Sequence, residues 1–359
     1  MKNENPLCSI TIEDTINISH NSFNSKNSLI KLYNKISEKV PNEQKNIIIP
    51  KENKSVQEND NPYNIIQEPK SDNLNIPMDE IKEEKETTKE KNTKTFIKPI
   101  PFFDDNQNDI YSNLLKEEQK FEAIPLYGYM DNQPYINEIM RRILVNWLID
   151  IHYKFNLREE TLYQTIWIID AYLSKEKIDI KYLQLLGISA FFISLKENET
   201  FFPTLYTLVL LVDNAYKKEE IVEFELKILK VLDFNILAPT SYNFYKMISM
   251  AFNFDKSLFF FGKYFLDTCL IDYQMNKYPS SVIGISCVYI VMKFFGIDNY
   301  EELFSQGVIK DDNPEKVIKD AAKDIHLLLK NLDNNPSLQA VKNKYSSVEY
   351  LDVADLFDI

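Results

Sequence analysis

The sequence predicts an all-α protein: two tandem five-helix repeats preceded by a disordered N-terminal tail. Three observations carry this. From Asp109 onward apolar residues recur at steps of three and four, the period of a helix that buries one face. These segments fall into two serial sets of five, each about a hundred residues long, a size that suits a duplicated helical domain. Residues 1–105, by contrast, are rich in Asn, Lys, Glu and Ser, with short apolar islands such as Ile47-Ile48-Ile49. Such a stretch cannot bury enough apolar surface to offset its chain entropy. The expected division is a regulatory tail over 1–105, a leading helix and linker over 106–135, the first repeat over 136–237, and the second repeat with a C-terminal extension over 238–359.

Composition narrows the function. The net charge is −13 and there are three arginines, at 141, 142 and 158. A surface that grips nucleic acid needs clustered Lys and Arg, so none is expected. Cys8, Cys269 and Cys287 form no CxxC pair, and three histidines are poor material for a zinc site, so neither metal nor cofactor is expected. No uninterrupted apolar run is long enough for a membrane span, and MKNENPLCSI lacks the blocks of a secretory leader. A nuclear and cytoplasmic protein is expected. With six glycines and no Gly-rich phosphate loop, HExxH or GxSxG, enzymatic chemistry has no visible site.

The elements follow in order. Asp109 to Glu118 predicts a short amphipathic helix. Glu138 to His152, EIMRRILVNWLIDIH, opens the first repeat with a wide apolar stripe of Met140, Ile143, Leu144, Trp147, Leu148 and Ile151. Arg141 sits beside that stripe and needs a carboxylate. Asp170, set in the apolar face of the second helix (ETLYQTIWIIDAYLSK), is the obvious partner. The third helix, YLQLLGISAFFISLKE, is almost wholly apolar, as a central helix must be, and Gly187, Ser189 and Ala190 leave room for neighbours. A short fourth helix starts at Phe202-Pro203-Thr204, and KKEEIVEFELKILKVLDF forms the fifth. Ala238-Pro239-Thr240-Ser241 restarts the pattern, Pro preceding a polar N-cap residue. The second set covers 241–252, 255–273, 278–295, 315–331 and 336–343, with a break at Asp311-Asp312-Asn313-Pro314.

Several phrases resemble the mitotic, A/B-type cyclins. MRRILVNWLIDIH is similar to the MRxILVDWLxxVH helix that opens the cyclin box, with Asn146 for the usual Asp. Tyr129-Met130-Asp131-Asn132-Gln133-Pro134 resembles the linker into the box. LIDYQMNKYPSS and LQAVKNKYSS resemble phrases of the second box and its end. Arg141, Asp170, Leu185, Lys196 and Glu225 stand at the family's spacing. The resemblance covers roughly 109–355. It implies a non-enzymatic regulatory subunit that binds and activates a cyclin-dependent protein kinase at the G2/M stage of the cell cycle, with a transcription-associated cyclin-fold protein as the rival.

The resemblance also implies roles. Lys196 and Glu225 would contact the kinase helix that bears its active-site glutamate, with Phe234, Ile236 and, from the leading helix, Ile110 beside them. Met140, Ile143, Leu144, Trp147, Asp150, Leu183 and Gln184 would form a docking patch for substrates with RxL-type motifs, Asp150 receiving the peptide's basic residue. Lys51-Glu52-Asn53 resembles a KEN degradation signal, implying the anaphase-promoting ubiquitin ligase as a partner. The chain departs from the pattern at Glu197, where an aromatic is expected at the kinase surface. Phe201 or Phe202 would compensate, or the partner kinase differs there.

Overall fold

The structure, a computed structural model, describes residues 105–121, 125, 127–298, 300–305, 313–333 and 338–357, which belong to one unit. Residues 1–104, with Lys51, Glu52 and Asn53, lie outside the described residues. Helices and short 3-10 runs make up the ordered elements, with no β-strand among the described residues.

A leading helix, α1 (Asp105–Lys120), precedes the first repeat. That repeat comprises α2 (Glu138–Lys154), α3 (Glu159–Lys175), α4 (Leu183–Asn198), α5 (Leu205–Leu211) and α6 (Lys218–Val231). The second comprises α7 (Ser241–Ala251), α8 (Lys256–Ile271), α9 (Ser280–Phe294) and α10 (Pro314–Asp333), followed by a short α11 (Ala340–Tyr345). Polar side chains start the helices by accepting orphan amides. Asn137 Oδ1 takes Met140 N at 3.0 Å, Asp255 Oδ1 takes Leu258 N at 2.9 Å, and Thr204 Oγ1 takes Thr207 N at 3.3 Å.

The repeats share one register. Their central helices α4 and α9 start at 183 and 280, 97 residues apart, and key residues recur at that interval. Ser189 donates to Ile221 O and Ser286 to Ile318 O, both at 3.2 Å, tying each central helix to the helix that closes its bundle. Gly187 and Gly284 admit the first helix of each repeat. A Cβ on Gly187 would lie 2.7 Å from Leu144 Cδ1, and one on Gly284 2.9 Å from the backbone nitrogen of Tyr245. Neighbours on every side explain why both central helices are apolar all round.

The second repeat is not a copy. A 3-10 run, Tyr300–Ser305, stands where α5 stands in the first. The last helical segment, α11, packs on α2 of the first repeat and on α8. Conversely α1, which precedes the first repeat, packs on α7 and α9 of the second, with Tyr111 edge-on to Phe244 at 6.0 Å and Glu118 accepting Ser281 N at 2.7 Å. Each repeat is therefore clasped by the other's outlying helix.

Candidate functional site

The predicted pair is made, and it does more than join two helices. Arg141 Nε and Nη2 donate to the two oxygens of Asp170, each at 2.6 Å, with both side chains almost wholly buried. Its remaining nitrogen reaches Leu270 O and Ile271 O, at 3.1 and 3.3 Å, at the C-terminal end of α8 in the other repeat. Asp170 also accepts from Tyr129 at 2.8 Å and from Asn276 at 3.0 Å. Burial works to lower the pKa of the guanidinium, but the Asp170 charge and its hydrogen bonds prevail and hold it above its ordinary value. The linker phrase has its own anchor. Gln133 donates to Leu173 O and Glu176 O, both at 2.7 Å, and accepts from Ile178 N at 3.1 Å.

Lys196 and Glu225 meet on the surface of the first repeat, hydrogen-bonded to each other at the ends of α4 and within α6. The Lys196 ammonium also lies 4.4 Å from the centre of the Phe192 ring. Leu185 is buried and serves the core. Ile110 and Phe234 are exposed at 55% and 63%, values too high for core residues. Ile236 is half-buried, its carbonyl accepting from Gln164 at 3.2 Å. Phe234 owes its exposure to a Schellman cap on α6: its N–H donates to Leu229 O at 2.8 Å, and Asp233 N to Lys230 O at 3.2 Å. Both residues hold positive φ, 50° and 59°, a strained state for non-glycine side chains.

The seven docking-patch residues separate. Met140, Ile143, Trp147 and Asp150 are half-exposed along one edge of α2, a contiguous apolar stripe with a carboxylate at its end. Leu144 and Leu183 are buried core residues, because α2 and α4 pack directly against each other and Leu144 fills the space over Gly187. Gln184 is also buried, and its side-chain oxygen has no hydrogen-bond partner. Burial raises the Asp150 carboxyl above its usual range, against a lowering by nearby Lys154.

The sequence reading missed a second ionic centre. Lys263 and Asp267 on α8, Lys344 on α11 and Glu159 at the start of α3 converge in the interior. Lys263 reaches Glu159 at 2.6 Å and Asp267 at 3.0 Å; Lys344 reaches Asp267 at 2.8 Å and Glu159 at 3.2 Å. Tyr163 and Tyr345 both donate to Asp267, the latter at 2.9 Å. Burial raises carboxylate pKa values, yet the two ammonium groups overcome it and hold Asp267 and Glu159 below theirs. Lys344 is raised by the same two carboxylates against its burial, whereas burial prevails at Lys263 and lowers it. The signal available was a Lys and an Asp four residues apart in the otherwise apolar FFFGKYFLDTCLI. Asn146, the departure from the usual Asp, has a role here too: its Oδ1 accepts Ala340 N at 3.0 Å and fixes the start of α11. Among the described residues no group of His, Cys, Asp and Glu is placed to hold a metal, and no helix is long and apolar enough to cross a membrane.

Two clasped five-helix-type repeats with this buried Arg–Asp pair define a tandem cyclin fold, and comparison with known proteins agrees. Residues 109–237 match the cyclin N-terminal domain and 239–358 the cyclin C-terminal domain. The chain belongs to the cyclin family. Among its relatives are B-type cyclins: a G2/mitotic-specific cyclin-B of Hydra vulgaris is 35% identical over 249 residues, 68% of this chain and 66% of the relative. Cyclin-B2-3 of Arabidopsis thaliana is 40% identical over 174 residues, 48% of this chain and 40% of the relative. Among solved structures, a viral cyclin from herpesvirus saimiri matches at 18% identity with a TM-score of 0.46, over 66% of this chain and 97% of that one. The chain thus spans less than two thirds of the length of the curated relatives it matches.

Proposed function

We propose that this protein is a non-enzymatic regulatory subunit that binds and activates a cyclin-dependent protein kinase, acts at G2/M and works in nucleus and cytoplasm. The observation that carries the reading is that Lys196, Glu225, Ile110 and Phe234, at the positions where the family resemblance puts kinase contacts, all lie at the surface and fill no core. A surface ion pair and large exposed apolar side chains, one of them displayed by a strained cap, contribute little to the fold and suit a protein interface. The B-type relatives favour the mitotic role over a transcription-associated one.

Recruitment of RxL-bearing substrates belongs to the same proposal, resting on Met140, Ile143, Trp147 and Asp150. Engagement of the anaphase-promoting ubiquitin ligase rests on Lys51-Glu52-Asn53 in the sequence alone.

Charge reversal at Glu225 tests the reading. Glu225→Lys places two ammonium groups together at the interface, and kinase association should weaken at least tenfold, about 1.4 kcal/mol or more. The melting temperature of the free protein should stay within about 2 °C of wild type, since an exposed pair adds little to stability. A variant that binds and activates the kinase normally sinks the assignment. For the patch, Met140→Ala with Trp147→Ala should slow phosphorylation of an RxL-bearing protein while a short peptide is turned over as before.

A further inference from the structure

We propose that Glu197 sets the choice of partner, by receiving a lysine or arginine from the kinase surface; the inference rests on the kinase-binding reading above. The other polar residues at the end of α4 are engaged within the chain. Lys196 is neutralised by Glu225. Asn198 donates to Ser194 O at 3.0 Å and to the Gln164 side chain. Glu199 accepts from Arg158 N at 2.7 Å and Thr161 Oγ1 at 2.6 Å, which turns the chain back onto the start of α3. Glu197 is exposed and makes no hydrogen bond or ion pair among the described residues.

Its position is also unfavourable for the fold. Glu197 is in the last turn of α4, which ends at Asn198, where the unsatisfied carbonyls carry partial negative charge. A lysine there would suit the isolated helix better than a glutamate. The end of α4 carries two cations, Lys196 and Arg158, whose Nη1 donates to Asn198 O at 3.1 Å, against the carboxylates of Glu197, Glu199 and Glu225, so its charge is net negative. Four residues further on, Phe201 is 81% exposed and Tyr206 beyond it 49% exposed. An unpaired anion with displayed aromatics a short way along the chain is complementary to a kinase surface that offers a cation and an apolar socket. Such a contact acts on partner choice, because a kinase with an acidic or purely apolar surface there would desolvate Glu197 without repayment.

The test measures affinity of the full chain for the cyclin-dependent protein kinase that co-purifies with it, at low and high salt. Glu197→Gln should weaken binding about fivefold, and Glu197→Lys about thirtyfold or more, with both losses shrinking as salt rises. Melting temperatures should not fall, and that of Glu197→Lys should rise slightly as the helix end gains a favourable charge. Glu197→Phe serves as the contrary case: binding equal to or tighter than wild type would show an apolar socket and overturn the inference. Wild-type affinity in Glu197→Lys would also overturn it. Glu225→Lys, measured beside them, separates the two levels. If it abolishes binding while the Glu197 variants bind as wild type, the partner-choice inference fails and the kinase reading stands. If it too binds normally, the kinase reading itself fails.

Discussion

Asp170 and Asp267 lie 97 residues apart, at the same place on the second helix of their repeats, and both are buried. Their surroundings differ. Asp170 faces one arginine, whose fork spans both carboxylate oxygens and still reaches two carbonyls across the repeat boundary. Asp267 faces two lysines, one on its own helix and one brought by α11, and the excess positive charge is balanced by Glu159 from the first repeat. The first solution is local and planar, the kind of geometry for which guanidinium is suited. The second is assembled from three distant parts of the chain. Both end in the same result: each buried acid links the two repeats, Asp170 through Asn276 and Asp267 through Tyr163. The relative placement of the repeats is thus secured by ionised groups in an apolar interior, which tolerate little displacement.

This contrast predicts unequal losses. Asp267→Ala leaves Lys263 and Lys344 sharing one carboxylate in the interior, and should cost about 5 kcal/mol, enough to unfold much of the protein at 37 °C. Asp170→Ala leaves Arg141 with its two carbonyl partners, and guanidinium is the more weakly hydrated cation, so about 3 kcal/mol is expected. Denaturant titrations of both variants decide the matter. A larger loss at Asp170 would mean that the carbonyl contacts of Arg141 contribute nothing.

The next effect is pH dependence. His152 is buried on α2, its Nε2 donating to Arg158 O at 2.9 Å while Nδ1 has no partner. Its pKa is lowered to about 4, first by burial and then by the Lys344 and Lys263 charges, with Glu159 opposing. The unfolded chain protonates this ring near 6.5, so its contribution is whole above pH 6.5 and is lost as pH falls from 6.5 to 4. The limiting loss is about 3 kcal/mol. His152→Gln can keep the hydrogen bond to Arg158 but cannot take the proton. Its stability should be flatter across that window, and an unchanged slope between pH 6.5 and 4.5 would remove His152 from the account.

The equivalent glycines sharpen the comparison of the two central helices. Gly284→Ala meets backbone, Tyr245 N at 2.9 Å and Ser241 O at 3.0 Å, so α7 must move. Gly187→Ala meets the methyl end of Leu144, which can shift its rotamer. We expect a loss of about 2 kcal/mol at Gly284 and under about 1 at Gly187, where the helix preference for alanine offsets part of the strain. Thermal melts that rank them the other way would show α2 to be the more rigidly held.

How much of this was legible depended on which residue types are rare. Arg141 stood out because the chain has three arginines, and a rare guanidinium beside an apolar stripe asks for Asp170. Lys263 and Lys344 did not, because lysine is abundant in this sequence and is ordinarily solvated. The helices were legible because their apolar spacing is a local property. The clasp by α1 and α11 was not, since periodicity tells which face is buried but not against what. The same limit applies to the patch on α2. Leu144 and Met140 share one stripe, and only the close approach of α4 at Gly187 separates the buried one from the half-exposed one.

The smallest effect tests whether the duplication extends to single hydrogen bonds. Ser189 and Ser286 are both fully buried, and each hydroxyl donates to the carbonyl of an isoleucine in the first turns of the helix closing its bundle, at the same 3.2 Å. Removing either hydroxyl leaves that carbonyl without its second donor but opens a void smaller than a methyl group. Ser189→Ala and Ser286→Ala should therefore each cost about 1 kcal/mol, and agree within about 0.5. They share no partner, so the double variant should lose the sum. A Ser286→Ala loss several times larger would show that the second repeat leans on its bond more heavily. That outcome would set the second repeat, whose fourth position holds a 3-10 run rather than a helix, apart from the first.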